Sequence, residues 1–310
     1  MAVTERQKKM IICDTHCDVL WMRCFHPDQQ PCVTLENMRR GGVSLQTCTL
    51  FSGAGGPAAH PFEKGITEYR EFVRLRDAEG WIQAFSPLEA EEGKVKVMLS
   101  MEGGEILEGS VERLREFYDY GVRMLALTWN FENEIGHPAK LGSREGIKPR
   151  GWILLKEMAR LKMAADTSHL NEAGFWDLID RHEQPCMASH SCCKALCDHF
   201  RNLTDEQIRA LIRRGGWLGI NFYPAFLSSD GKAGVETVCD HIDHVCQLGG
   251  EKHVGFGSDF DGIETTPDRL SSPAEVPNIF AELRKRGYSE ETLADIAGRN
   301  FQNYYRRLGW

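Results

Sequence analysis

Eight times along this chain a short apolar, β-branched run ends in a polar residue and gives way to a helical pattern. The runs lie in KKMIICDTHCD, GVSLQTCTLFSG, VKVMLSMEGG, VRMLALTWN, KMAADTSHLN, PCMASHSCC, GWLGINFYP and HVGFGSDFDG. Several are almost continuously hydrophobic, the pattern of parallel strands covered on both faces. Between them, residues 65–80 carry apolar residues at helical spacing and stop at Gly80. Asn171 opens NEAGFWDLIDR and Thr204 precedes DEQIRALIRRGG, each a helix N-cap signal, the second closed by glycines. Residues 235–249 continue the pattern, and a further pair of helices follows Ser272. Eightfold strand–helix alternation predicts an α/β fold of the (β/α)₈ TIM-barrel type. The rival is an open doubly wound sheet, whose G-x-G-x-x-G fingerprint is absent from the first strand–helix turn. A length of 310 residues suits one barrel, so we expect a single domain over 1–310 with a C-terminal helical extension.

Composition narrows the function classes. The chain is 42% hydrophobic and 26% charged, ordinary for a globular protein with a sizeable core. Its net charge of −8 offers no basic face, so neither nucleic acid nor an acidic membrane is an expected partner. The apolar runs are strand-sized, too short to span a bilayer. MAVTERQKKM lacks the apolar segment of a signal peptide and NYYRRLGW lacks a lipid-anchor tail, from which we expect a cytoplasmic protein. Its eleven cysteines contain no C-x-x-C pair and are expected to be reduced, mostly small core residues.

In a (β/α)₈ barrel chemistry gathers at the C-terminal ends of the strands. Those ends carry His16, Asp18, Glu102, Asn130, His169, His190, Tyr223 and Asp259. His16 and Asp18 are two apart, so on a strand both face one way while Cys17 faces the other. Any one strand-end polar residue can simply cap a helix or satisfy a loop, and Asp261 is read that way. Three His, one Asp and one Glu at one end of one barrel are better read as ligands, since imidazole and carboxylate suit zinc. Five ligands exceed the needs of one catalytic zinc and suffice for two ions sharing a bridging carboxylate. The natural division gives His16 and Asp18 to one ion, His169 and His190 to the other, with Glu102 between. His241 and His244 sit at a ligand spacing but on a helix outside the barrel, where a structural role is expected. His26, His60, His137, His182, His199 and His253 lie in polar contexts and are expected at the solvated surface. No H-E-x-x-H motif is present.

From residue 11 to 306 the chain resembles the zinc-dependent membrane (renal) dipeptidases and their bacterial relatives, within the amidohydrolase superfamily. The resemblance is carried by DTHCD, SMEGGE, DTSHLNE, ASHSCCKAL, FRNLTDEQI, GINFYP, HIDHVCQLGGEKHVGFGSDFDG and AGRNFQNYYR, in that order. It implies a (β/α)₈ barrel with two Zn²⁺ ions that hydrolyses dipeptides and tolerates a C-terminal D-residue. Position by position it makes His16, Asp18, Glu102, His169 and His190 the metal ligands. Arg201 matches the arginine that binds the substrate carboxylate, and Asp259 the carboxylate that handles the proton. Animal members carry a histidine, thought to steady the developing oxyanion, where LTWN here has Trp129. Asn130 beside it could donate a hydrogen bond instead. Tyr223 joins the substrate-binding candidates, with loop satisfaction as its equal alternative. A possible homodimer is the default oligomer.

Amide hydrolysis at neutral pH needs an acidified water, help for the carbonyl oxygen and a proton for the leaving amine. One zinc alone brings the pKa of bound water to about 7. Asp259 as a sixth ligand is compatible with the sequence. Two other functions fit the same residues: hydrolysis of another amide, lactone or phosphoester, and a barrel that binds a ligand without catalysis.

Overall fold

All eight apolar runs form strands in a computed structural model, which describes residues 10–53 and 60–310. They are β1 (Ile12–Asp14), β2 (Val43–Phe51), β3 (Lys96–Glu102), β4 (Val122–Ala126), β5 (Ala164–Asp166), β6 (Met187–Ser191), β7 (Trp217–Ile220) and β8 (Val254–Phe256). Each pairs in parallel with the next and β8 closes on β1, giving the expected (β/α)₈ barrel. β2 is buried at all nine positions, as a strand needs when helices cover one face and the barrel interior the other. The reading of the N-terminus rested mainly on residues 1–9, which lie outside the described residues.

Twelve helices surround the barrel among the described residues: α1 (Val19–Phe25), α2 (Leu35–Gly41), α3 (Pro61–Glu79), α4 (Val111–Tyr120), α5 (Pro149–Leu161), α6 (Glu172–Arg181), α7 (Asp205–Arg213), α8 (Pro224–Leu227), α9 (Val235–Val245), α10 (Pro277–Lys285), α11 (Glu290–Ala294) and α12 (Asn300–Arg307). Both expected caps form. Asn171 Oδ1 accepts from the Gly174 amide, and Thr204 and Gln207 make a reciprocal capping box at α7. No described helix is long and apolar enough to cross a membrane.

The C-terminal helix is more than an appendage. Cys13, Leu45, Met98, Met124, Ala164, Met187 and Trp217 come from seven different strands and form one apolar floor. Phe301, Tyr304, Tyr305 and Leu308 of and after α12 pack onto it. The buried hydroxyls are satisfied by backbone: Tyr304 donates to Pro185 O at 2.9 Å and Tyr305 to Arg123 O at 3.1 Å. α12 therefore plugs the end of the barrel opposite the polar strand ends.

The eleven cysteines are all free, eight of them buried. His241 is fully buried, accepting from the Cys193 amide at 3.0 Å and donating to Leu227 O at 3.0 Å, while His244 pairs with Asp205 at 2.7 Å. Both are structural, as expected. Two other histidines depart from expectation: His137 and His182 are buried rather than solvated. The loop after β4 folds His137 between Glu132 and Glu145, at 3.6 and 3.5 Å. His182 caps the end of α6, and burial with Arg214 beside it lowers its pKa to about 4. Polar sequence neighbours did not reveal either burial because it is produced by loops folding back.

Candidate metal centre

The barrel brings the polar strand ends together. Glu102 closes β3 and is 3% exposed; His190 lies within β6 and is fully buried. His16 and Asp18 follow β1, and His169 follows β5. The two oxygens of Glu102 face different partners. Oε1 is 3.0 Å from His169 Nε2 and 3.3 Å from His190 Nε2, whereas Oε2 is 3.7 Å from His16 Nε2. His16 Nε2 also lies 3.4 Å from Asp18 Oδ2 and 3.6 Å from Asp259 Oδ1. The rings of His16 and His190 are tilted together with centroids 3.9 Å apart.

These short distances are not hydrogen bonds. Glu102 Oε1, His16 Nε2, His190 Nε2 and Asp18 Oδ1 are buried with no hydrogen-bond partner. Several lone-pair atoms buried without donors would be costly in a closed core. They converge instead, as ligand atoms do around a cation. Two triples lie within coordinating reach of one another, His16–Glu102–His190 and His16–Asp18–Asp259. The donor set of imidazole nitrogen and carboxylate oxygen fits zinc.

Electrostatics without a cation follow from the same crowding. Burial pushes the His16 imidazole down, but Glu102, Asp18 and Asp259 outweigh it and raise it to about 10. Burial drives Glu102 well above the carboxylate range and raises Asp18 to about 6. His169 and His190 are held well below their ordinary value, chiefly by burial. Opposed shifts of this kind in one buried cluster accompany the convergence of ligand atoms described above.

Two of the seven left-handed non-glycine residues among the described residues fall in the site. His169 and Asp259 both adopt left-handed conformations, at φ 66° and 64°. Such conformations cost a non-glycine residue about 1 kcal/mol or more and persist where surrounding structure imposes them. Asp259 is held on one side by Asn221 of the β7 end, whose Nδ2 donates to its Oδ2 at 2.8 Å. Asn221 escaped the sequence reading, and its only signal was a polar residue directly after an apolar strand.

Arg201 is 4% exposed, not at the surface. Its Nη2 donates to the His190 carbonyl at 3.2 Å, its guanidinium stands 5.5 Å from the Phe226 ring, and Nε has no partner. Asn130 Oδ1 lies 3.2 Å from His169 Nδ1. A cavity of about 360 Å³ opens above the cluster, lined among others by Asp18, Glu102, Asn130, His169, Tyr223 and Asp259. Its wall is aromatic: Phe51 meets Trp21 and Trp129 edge-on, with centroids 5.8 and 5.0 Å apart. Burial and a hydrogen bond to Glu264 raise the Tyr223 phenol, keeping it neutral. Asp261 holds a loop, as expected, accepting from the Cys32 and Val33 amides at 2.7 and 3.1 Å.

A family model described as membrane dipeptidase, peptidase family M19, matches residues 2–307. A metallopeptidase from Rhodobacter sphaeroides, crystallised with a phosphinate mimic of the dipeptide L-Ala-D-Ala, is 27% identical; the match covers 98% of this chain and 100% of that one, with a TM-score of 0.89. An uncharacterised protein of Klebsiella pneumoniae is 39% identical over 221 residues, 68% of this chain and 81% of that protein. An uncharacterised dipeptidase of Schizosaccharomyces pombe is 38% identical over 66% of this chain, and the match spans 51% of the yeast protein. With its model matched over nearly the whole length, the chain belongs to the membrane dipeptidase family, peptidase family M19.

Proposed function

We propose that this protein is a dinuclear zinc dipeptidase that cleaves dipeptides with a free C-terminal carboxylate and accepts a D-residue there. The observation that carries the reading is Glu102, whose two oxygens face separate imidazole groups amid buried nitrogens without partners. His16 and Asp18 would hold one ion, His169 and His190 the other, and Glu102 would bridge them. Zinc at these positions would supply Lewis acidity, making a water nucleophilic near neutral pH and polarising the scissile carbonyl.

The chain's own residues do the rest. Arg201 is a buried fork with a free Nε, placed beside His190, and binds the C-terminal carboxylate in a charge-assisted pair. That pairing selects short substrates, since a longer peptide has no carboxylate at this distance. Asp259 turns Oδ1 toward His16 while Asn221 holds Oδ2, so Oδ1 takes the proton of the attacking water and delivers it to the leaving nitrogen. Asn130 holds the His169 ring, and Tyr223 lines the mouth of the cavity. Acceptance of a D-residue is supported by the L-Ala-D-Ala mimic bound to the Rhodobacter sphaeroides relative.

The test is release of free amino acids from a panel of L,L- and L,D-dipeptides and their C-terminal amides. Cleavage of free dipeptides, L,D included, with the amides cleaved at least a hundredfold less efficiently, is expected. Equal cleavage of amides would remove the carboxylate requirement, and cleavage of lactones or phosphoesters alone would favour another hydrolase reading.

A further inference from the structure

Two strand-end aspartates sit in matching positions and make matching bonds. Asp14 ends β1 and accepts from the amide of Ser258 at 2.8 Å, from the Ser258 hydroxyl at 2.5 Å and, at 3.4 Å, from the amide of His16 two residues on. Asp166 ends β5 and accepts from the amides of Ser189 and of Ser168, two residues on, both at 2.9 Å, and from the Ser189 hydroxyl. In both cases the serine lies on the neighbouring strand or just beyond it, directly before a residue of the centre: Ser258 before Asp259 and Ser189 before His190.

The two units differ in what the serine hydroxyl meets besides its aspartate, and only one of them touches a ligand ring. Ser189 Oγ is also 2.7 Å from Nδ1 of His190 and 3.3 Å from the Ser168 hydroxyl, whereas Ser258 Oγ is 3.2 Å from the backbone carbonyl of His16 and accepts from the Phe260 amide at 3.3 Å. A hydroxyl has one proton. The Ser189 proton is committed to Asp166, so its oxygen must accept from His190, and Nδ1 must carry the hydrogen. Nε2 is then left with its lone pair, which points at Glu102 and has no hydrogen-bond partner.

We infer that Asp166 and Ser189 form a relay that fixes the tautomer and orientation of His190 for metal binding, a carboxylate–histidine pairing with a serine inserted. The relay acts through His190, so Asp166 and Ser189 are positioning residues. The inference rests on the dinuclear zinc reading above. Partners of this kind raise ligand basicity, and their loss typically weakens metal binding about 10–100-fold. The Asp14–Ser258 unit supplies an internal control, because it has the same backbone bonds and no contact to a ligand ring.

The experiment measures zinc content and its transfer to an excess of a chromogenic chelator, at fixed pH, with far-ultraviolet circular dichroism to confirm folding. Wild type is expected to hold two zinc equivalents. Ser189→Ala and Asp166→Asn should each lose one of the two at least ten times more readily, while Ser258→Ala releases zinc as wild type does. Asp166→Asn keeps the shape and the acceptor for backbone amides, so it decides the matter if Ser189→Ala does not fold. Wild-type zinc retention in Asp166→Asn and Ser189→Ala would overturn the relay, as would equal weakening in Ser258→Ala. A wild-type protein that takes up no zinc would instead overturn the dinuclear reading on which the relay depends.

Discussion

Asn130 presents its side-chain carbonyl 3.2 Å from Nδ1 of His169, the imidazole proposed above as a metal ligand. An amide oxygen can only accept, which puts the hydrogen on Nδ1 and the lone pair on Nε2, 3.0 Å from Glu102. Asn130→Asp keeps that acceptor and should retain kcat within about tenfold. Asn130→Ala should loosen one metal by about 10–100-fold in a chelator competition. Full metal retention in Asn130→Ala with kcat down about a hundredfold would assign Asn130 to the oxyanion directly.

Arg201 carries a buried charge whose Nε is free for a ligand. Arg201→Ala should raise KM for free dipeptides strongly, lowering kcat/KM by about a hundredfold or more, in the range of a charged hydrogen bond or two. Arg201→Lys should recover only part, because an ammonium cannot make the paired contact. Steady-state kinetics on both variants check this, and near-normal KM would rule out the carboxylate clamp.

Gly262 gives the carboxylates their room. A Cβ built there would stand 2.1 Å from Asp18 Oδ2 and 2.9 Å from Asp259 Oδ1. Because those atoms are the ends of side chains, Gly262→Ala should leave the melting temperature within a few degrees while lowering metal content and activity at least tenfold. Metal analysis and calorimetry on one sample separate the two effects. Loss of fold with normal metal content would contradict the assignment of those carboxylates.

His182 should make stability pH-dependent. Burial lowers its pKa from 6.5 to about 4, so the unfolded chain takes up its proton first as pH falls. Its contribution is present above pH 6.5 and is lost as pH falls through about 4. His182→Gln should show a shallower fall of urea midpoint over that window than wild type. Parallel curves would place His182 in solvent.

The alternation of strands and helices made the barrel legible, and strand-end position made His16, Glu102, His169 and His190 legible with it. A parallel barrel must collect those ends, so no long-range guess was needed. Arg201 was different: it lies eleven residues beyond His190 in a loop, and only the family resemblance singled it out. Asp14, Asp166, Ser189 and Asn221 went unread because each is a polar residue embedded in or bordering an apolar run, where satisfied backbone is the ordinary explanation. The recurrence of Asp-Thr before His16 and again before Ser168-His169 was the available sign. His137 and His182 were misplaced because their burial comes from loop folding and a helix end, neither of which has a periodic signature.

In the proposed mechanism His16, Asp18, Glu102, His169 and His190 would hold the two cations on which dipeptide hydrolysis depends. The most direct measurement follows hydrolysis of an L,D-dipeptide while metal is removed by chelation and zinc is returned in counted equivalents. All activity should be lost on chelation, with recovery complete at two equivalents per chain. Undiminished cleavage by protein shown to be metal-free would contradict that mechanism.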